Sequence, residues 1–388
     1  MHKLKKVVMI SHDSFQAGAP ILLINLAALL IQTGRYQVSF IIKNNNGVLI
    51  PRFEALGPVL IWNTTAPKPS YLQTKLYAVK RKISGSVAET LPAGLPAFIE
   101  GADVIISNTI TNGDILPAIR SIYKGKIVSY VHELEMASKY FTSAADVSRV
   151  IGSSNSFAVP SKAVKNHLIS GLNIPAGKTE ILNYYIPQIN RAAEDKAACR
   201  QLLNIPQKGF VVGGVGTSDW RKGADVFIQL ALQTKKAGLP VETSFYWFGA
   251  NETVDLERLK YDVKKMGLQD NVHFIPASNK VPYFFKAIDL FVLTSREDPY
   301  PLVVLEAADA AVPIICFEGS GGAPEFVDTD AGSVIAYLDT VAAATVIKNY
   351  VLNPALLAEQ GAVAQEKVAR LHQNQDLIVQ QFEMISAQ

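Results

Sequence analysis

Three carboxylates crowd the stretch from Ser295 to Ala307, Ser-Arg-Glu-Asp-Pro-Tyr-Pro-Leu-Val-Val-Leu-Glu-Ala. They are Glu297, Asp298 and Glu306. An ionised carboxylate only accepts hydrogen bonds, so a cluster of them calls for donors, such as the paired hydroxyls of a ribose or a hexose. The apolar run Asp289-Leu-Phe-Val-Leu-Thr294 before the stretch reads as a buried strand, and Leu302 to Ala311 after it reads as a helix. Pro301 suits the first helical turn, where its missing N–H costs nothing. The acids therefore sit between a strand end and a helix N-terminus. Open α/β sheets bind ligands just outside the carboxyl ends of their strands. The helix N-terminus at Tyr300, Leu302 and Val303 offers N–H groups and partial positive charge to a phosphate. A single acid in a first turn would do no more than complement the helix dipole. Several acids, two prolines and Tyr300 together fit a ligand with an anionic part and a hydroxyl-bearing part, as a nucleotide sugar has.

A complementary basic motif lies upstream. Phe210 to Gly216 reads as a strand, and Trp220-Arg-Lys-Gly223 opens a helix running to Ala237 and stopping at Gly238. An Arg forks onto two oxygens and a Lys supplies a compact charge, so Arg221 and Lys222 suit a pyrophosphate. Alone, such a pair is ordinary solvated surface. The partial Gly-x-Gly at Gly214 and Gly216 lacks the third glycine of a dinucleotide fingerprint and carries little weight.

The elements that must position these groups alternate between strand and helix. Lys5 to Ser11, Gln37 to Lys43, Ala102 to Ser107, Lys126 to Val131, Ser156 to Pro160 and Glu180 to Asn183 read as strands of a first sheet. Phe210 to Gly216, Thr243 to Gly249, Val272 to Pro276, Asp289 to Thr294 and Val312 to Phe317 belong to a second. This is a doubly wound α/β pattern, written twice. A loop from His12 to Pro20 precedes a helix over Ile21 to Gly34, and its Gly18 permits close backbone approach to a ligand. His132 ends a strand and is as suited to a structural bond with a neighbouring backbone group as to a cleft. Tyr184-Tyr-Ile-Pro187 and the polar segment after it read as a linker.

The acid stretch resembles the signature of the retaining glycosyltransferases of family 4, in which two glutamates separated by seven residues are followed by Ala. Here that spacing runs from Asp298 to Glu306, with Glu297 one residue early. The resemblance implies a GT-B fold, two Rossmann-like doubly wound domains with a cleft between them. Residues 1–185 would form an acceptor-binding domain, 186–365 a donor-binding domain, and 366–388 a helix crossing back to the first. It implies transfer of a hexosyl group from a nucleotide diphosphate sugar (UDP- or GDP-sugar) to an acceptor hydroxyl, in polysaccharide or glycolipid synthesis. Glu306 would hold the ribose, and either Asp298 or Glu297, with His132, would position the donor sugar. Gly18 and Ala19 would face the donor diphosphate, with Arg221, Lys222, Tyr300, Pro301, Leu302 and Val303 completing its site. Lys222-Gly223 matches the family's Lys-Gly. The family's Gly-Arg does not recur, because Thr217 follows Gly216. The Gly-Gly turn ending in Pro324-Glu325 reads as structural. No metal or other cofactor is implied beyond the nucleotide sugar as co-substrate.

Composition sets the bounds. The 388 residues suffice for two domains, and 49% hydrophobic with 18% charged residues supports large cores. A net charge of +3 is too mild to indicate nucleic acid. Cys199 and Cys316 have neither metal nor disulfide spacing, which fits a reducing, cytoplasmic setting. The longest apolar stretch, Ala17 to Ile31, is interrupted by Asn25 and is too short to span a bilayer. The basic, aromatic segment Lys68–Lys82 reads as a solvated helix face or a peripheral contact with an inner membrane surface. Other functions compatible with the pattern are a GT-B nucleotide-sugar epimerase and a protein that binds sugar or nucleotide without chemistry.

Overall fold

Val7, Val8, Met9 and Ile10 have no solvent exposure, as expected of a parallel strand covered by helices on both faces. They form the centre of β1 (Lys5–Asp13) in the computed structural model, which describes residues 3–63, 91–188 and 195–387. The segment Lys68–Lys82 lies outside the described residues. The chain divides into two compact units, Met1–Pro187 with Asn374–Gln388, and Gln188–Gln373.

The first unit holds a seven-stranded sheet in the order β3-β2-β1-β4-β5-β6-β7. Its further strands are β2 (Tyr36–Asn44), β3 (Val59–Asn63), β4 (Val104–Asn108), β5 (Lys126–Tyr130), β6 (Ser156–Val159) and β7 (Thr179–Ile181). All of their pairings are parallel. The chain winds outward from β1 to β3, then returns to add β4 on the other side of β1. The β1/β4 boundary is thus a topological switch point, where strand ends diverge and leave room for a ligand. The expected loop before the first helix is shorter than the sequence reading placed it. Pairing of Asp13 with Asn44 carries β1 on past Ser11, and the helix begins at Gly18 and runs Gly18–Gln32. Pro20 falls within its first turn, where a proline is tolerated.

The second unit holds a six-stranded sheet in the order β10-β9-β8-β11-β12-β13. Its strands are β8 (Phe210–Val215), β9 (Thr243–Phe248), β10 (Val272–Ile275), β11 (Leu290–Leu293), β12 (Ile314–Phe317) and β13 (Gly332–Ile335). Its winding repeats the first, with the switch point between β8 and β11. Trp247, Phe227, Phe245 and Tyr350 anchor a core between the sheet and the helices Ala224–Ala237 and Thr340–Leu352. A buried Arg200 fixes the first helix of this unit, Lys196–Leu202, by donating to the Ala287 carbonyl at 2.9 Å and to Asp289 Oδ2 at 2.8 Å.

The C-terminal segment is two helices rather than the single helix over 366–388 expected from the sequence. Helix Pro354–His372 stops, and helix Gln375–Ala387 starts after Asn374, whose side chain accepts from the Leu377 amide at 3.2 Å. The last helix packs within the first unit. Its Phe382 meets Tyr36 edge-on, with ring centroids 5.6 Å apart, and Glu383 pairs with Arg35 at 2.6 Å. Tyr184 and Ile186, read as linker, are buried in the first unit. Among the described residues no single helix is long and apolar enough to cross a membrane.

Candidate functional site

The loops leaving β8 and β11 flank the switch point of the second sheet, and backbone contacts stitch them together. Gly223 adopts a left-handed φ of +71°, and a Cβ there would lie 2.0 Å from the Thr294 carbonyl oxygen. Only glycine allows that approach. The Arg296 amide donates to the Arg221 carbonyl at 2.8 Å, and the Arg221 guanidinium donates to the Glu297 carbonyl at 3.1 Å. The loop carrying the basic pair and the loop carrying the acids are therefore joined through their backbones.

Lys222 Nζ lies 2.5 Å from Asp298 Oδ2, and Arg221 Nη1 lies 3.9 Å from the same oxygen. The two motifs read separately from the sequence are thus directly paired. Asp298 is buried at 6% exposure. Its amide donates to the Ser320 carbonyl at 2.7 Å, and its carbonyl accepts from the Gly322 amide at 3.2 Å. This short bridge to the glycine-rich turn after β12 fixes its backbone on both sides. Glu297 is half-buried and offers its carbonyl to Arg221.

The helix Leu302–Asp309 begins beyond these acids with Pro301 as its N-cap, and no side chain caps it. Its first N–H groups, at Leu302 and Val303, have no partner within the helix. Glu306 lies one turn in. Its side chain is partly exposed and makes no hydrogen bond or ion pair with the described residues. Burial pushes its carboxyl up to about 7. A carboxylate held partly away from water without a protein partner is an acceptor waiting for a donor. The cations of Arg221 and Lys222, the open N–H groups and Glu306 can together take an anion at one end and a hydroxyl pair at the other.

Several neighbours escaped the sequence reading. Arg296 forks onto Asp225 at 2.8 and 2.7 Å and stacks over Trp220 at 5.0 Å. The Arg296–Asp225 contact ties the β11 loop to the first turn of helix Ala224–Ala237. Thr217, standing where the resemblance leads one to expect an Arg, bonds Asp219, and Asp219 in turn accepts from the Lys222 amide at 3.1 Å. Tyr300 bonds His372 at 2.9 Å.

In the first unit, Ala19 and His132 are joined through Asn108 at the end of β4. The Asn108 side-chain amide donates to the Ala19 carbonyl at 2.9 Å, which leaves its oxygen to accept from His132 Nε2 at 2.7 Å. His132 Nδ1 meets the Tyr184 hydroxyl at 2.9 Å. Burial, with His12 nearby, lowers the His132 pKa to about 3, so the ring is neutral and Tyr184 donates to it. Both ring nitrogens are occupied, and the histidine locks three loops of its own unit. Glu133 holds the neighbouring turn by accepting from the amides of Ile110 at 3.1 Å and His132 at 3.0 Å. Gly18 opens the helix, so it supplies a helix N-terminus rather than a loop. No cluster of three or more His, Cys, Asp or Glu placed to hold a metal occurs among the described residues.

A family model described as glycosyl transferases group 1 matches residues 195–380. The chain is similar to an O-antigen biosynthesis glycosyltransferase, WclY, of Escherichia coli, 25% identical over 232 residues, which are 57% of this chain and 62% of that one. It is also similar to a lipopolysaccharide core biosynthesis mannosyltransferase, LpcC, of Rhizobium leguminosarum, 28% identical over 177 residues, 44% of this chain and 47% of that one. The chain thus spans under two thirds of the length of these curated relatives. Among solved structures, Anabaena Alr3699/HepE in complex with UDP and glucose has a TM-score of 0.77 at 18% identity, covering 99% of this chain and 100% of that one. Sucrose-phosphate synthase from Thermosynechococcus elongatus has a TM-score of 0.75 at 17% identity, covering 98% of each chain. The protein has the GT-B fold of two Rossmann-like units, and its residues 195–380 carry the sequence pattern of the group 1 glycosyl transferases.

Proposed function

We propose that the protein is a retaining glycosyltransferase that moves a hexosyl group from a UDP- or GDP-sugar to an acceptor hydroxyl in polysaccharide or glycolipid synthesis. The observation that carries this reading is Glu306, an unpaired carboxylate with a raised pKa, one turn inside a helix that begins just after Asp298, the residue to which Lys222 and Arg221 turn. A nucleoside diphosphate fits both ends of that arrangement. Its ribose hydroxyls donate to Glu306, and its phosphates meet the cations and the Leu302 and Val303 amides. The relatives named for O-antigen and lipopolysaccharide core synthesis, and the neighbour holding UDP and glucose, support the substrate class.

In this reading the bond between the sugar C1 and the leaving phosphate oxygen breaks as the acceptor oxygen bonds to C1 on the same face. The leaving phosphate oxygen takes the acceptor's proton. Arg221, Lys222 and the helix amides stabilise the charge that develops on the diphosphate, with the two cations serving where other enzymes use a metal. Asp298, fixed through its backbone, takes the first-acid role towards the sugar in preference to Glu297. The second unit would thus take the donor and the first the acceptor, at a cytoplasmic location.

The test is transfer and donor turnover in Glu306→Ala and Lys222→Ala. Each should lose activity at least a hundredfold while keeping its circular-dichroism spectrum. Near-normal turnover in either contradicts the site. Donor epimerised in the absence of any acceptor contradicts the transferase reading.

A further inference from the structure

The donor helix Leu302–Asp309 is held at both ends by two consecutive residues, His372 and Gln373. Before the N-terminal end, the Tyr300 hydroxyl bonds His372 Nε2 at 2.9 Å, with the two rings 5.3 Å apart. At the C-terminal end, the Gln373 side-chain amide donates to Asp309 Oδ1 at 2.8 Å, and Gln365 donates to the Asp309 carbonyl at 2.6 Å. His372 is 1% exposed and Asp309 3%. Phe326, on the helix Ala323–Val327 after the glycine-rich turn, packs near the His372 ring at 6.1 Å. His372 ends the long helix Pro354–His372, and Gln373 is the last residue of the second unit before the chain enters the first at Asn374. The second of the two places where the chain passes between the units is therefore tied directly to the helix proposed to bind the donor. Both ties bridge more than 60 residues of sequence.

We infer that His372 and Gln373 are positioning residues which couple donor occupancy to the inter-unit connection, so that a bound nucleoside diphosphate orders residues 370–378. This inference rests on the donor reading above. A ligand that immobilises the Leu302–Asp309 helix fixes Tyr300 and Asp309, and these hold the two residues at the connection. Coupling of this kind is reciprocal, so loosening the connection must weaken the ligand by the same factor.

The experiment is amide hydrogen exchange on the full chain, with and without saturating UDP or GDP, in the wild type, Tyr300→Phe and Gln373→Ala. Tyr300→Phe removes only a hydroxyl and keeps the ring, so it preserves the fold where truncating the buried His372 risks losing it. In the wild type the nucleotide should slow exchange several-fold at both 296–309 and 370–378. In Tyr300→Phe and Gln373→Ala, protection should persist at 296–309 and fall at 370–378, with nucleotide affinity reduced several-fold. The two substitutions together should cost less than the product of the single losses, because they break one coupling. Protection at 296–309 with no change at 370–378 in the wild type overturns the inference alone. No protection at either segment overturns the donor reading and the inference with it. A merely structural role would lower thermal stability in both variants and leave the nucleotide-dependent difference at 370–378 intact.

Discussion

At the scale of single residues, the charge balance of the second unit's site is uneven. Lys222 is already neutralised by Asp298 at 2.5 Å, whereas Glu306 has no partner among the described residues. A diphosphate arriving at Lys222 must therefore compete with Asp298. Asp298→Asn should bind nucleoside diphosphate about tenfold tighter while transferring sugar far more slowly, which calorimetry and a transfer assay would resolve. Weaker diphosphate binding in Asp298→Asn would mean that Asp298 orients Lys222 instead of opposing its ligand. Glu306 gives a pH signature. Its folded pKa, about 7, lies above its ordinary value of 4.5. The folded protein therefore binds the proton more strongly, and this contribution to stability is complete below pH 4.5 and is lost as pH rises through 7. Glu306→Gln mimics the protonated form at every pH. It should melt at the wild-type temperature near pH 4.5 and progressively above it as pH rises to 8. A gap that does not change with pH would show that Glu306 is not desolvated.

At the scale of elements, the sequence revealed the strand ends but not what meets across them. Buried parallel strands are continuous apolar runs, so β1, β5, β8 and β11 stand out, and the residues just past them are legible as site candidates. Arg221 and Lys222 are legible in this way, whereas the Lys222-Gly223 match and the ribose role of Glu306 come from the family resemblance. Tertiary partners leave no such local mark. Nothing in Tyr184-Tyr-Ile-Pro187 indicates that Tyr184 reaches back 52 residues to His132, which accepts a hydrogen bond from its hydroxyl. The position of His132 was legible, but the use of both its nitrogens was not. The break between the two C-terminal helices was likewise hidden, because Gln373 and Asn374 fit a helical pattern until Asn374 turns to cap the next helix. The stitched loops carry their own prediction. Gly223→Ala places a side chain in a left-handed conformation and against the Thr294 carbonyl. It should cost about 2 kcal/mol or more of stability, measured by denaturant unfolding, and should abolish nucleotide binding by parting the two loops. Unchanged binding would show that their close approach does not shape the site.

At the scale of the whole molecule, the doubled strand-and-helix pattern specified two doubly wound sheets, and each has its switch point where the winding reverses. Those reversals explain why Gly18 and Ala19 follow β1 and the basic and acidic motifs follow β8 and β11 rather than the edge strands. The family likeness over 195–380 falls on the unit that holds Arg221, Lys222, Asp298 and Glu306. A shared donor with differing acceptors would concentrate the likeness there. The most direct test of the central claim is the melting temperature of the wild type and Glu306→Ala with UDP, GDP and ADP, each with and without a chelator. A ligand specific to the folded state, at about a hundred times its dissociation constant, adds about 2.7 kcal/mol. One base's diphosphate should raise the wild-type melting temperature regardless of chelator and leave Glu306→Ala nearly unmoved. Equal shifts in the two proteins, or no shift with any nucleotide, would contradict the central claim.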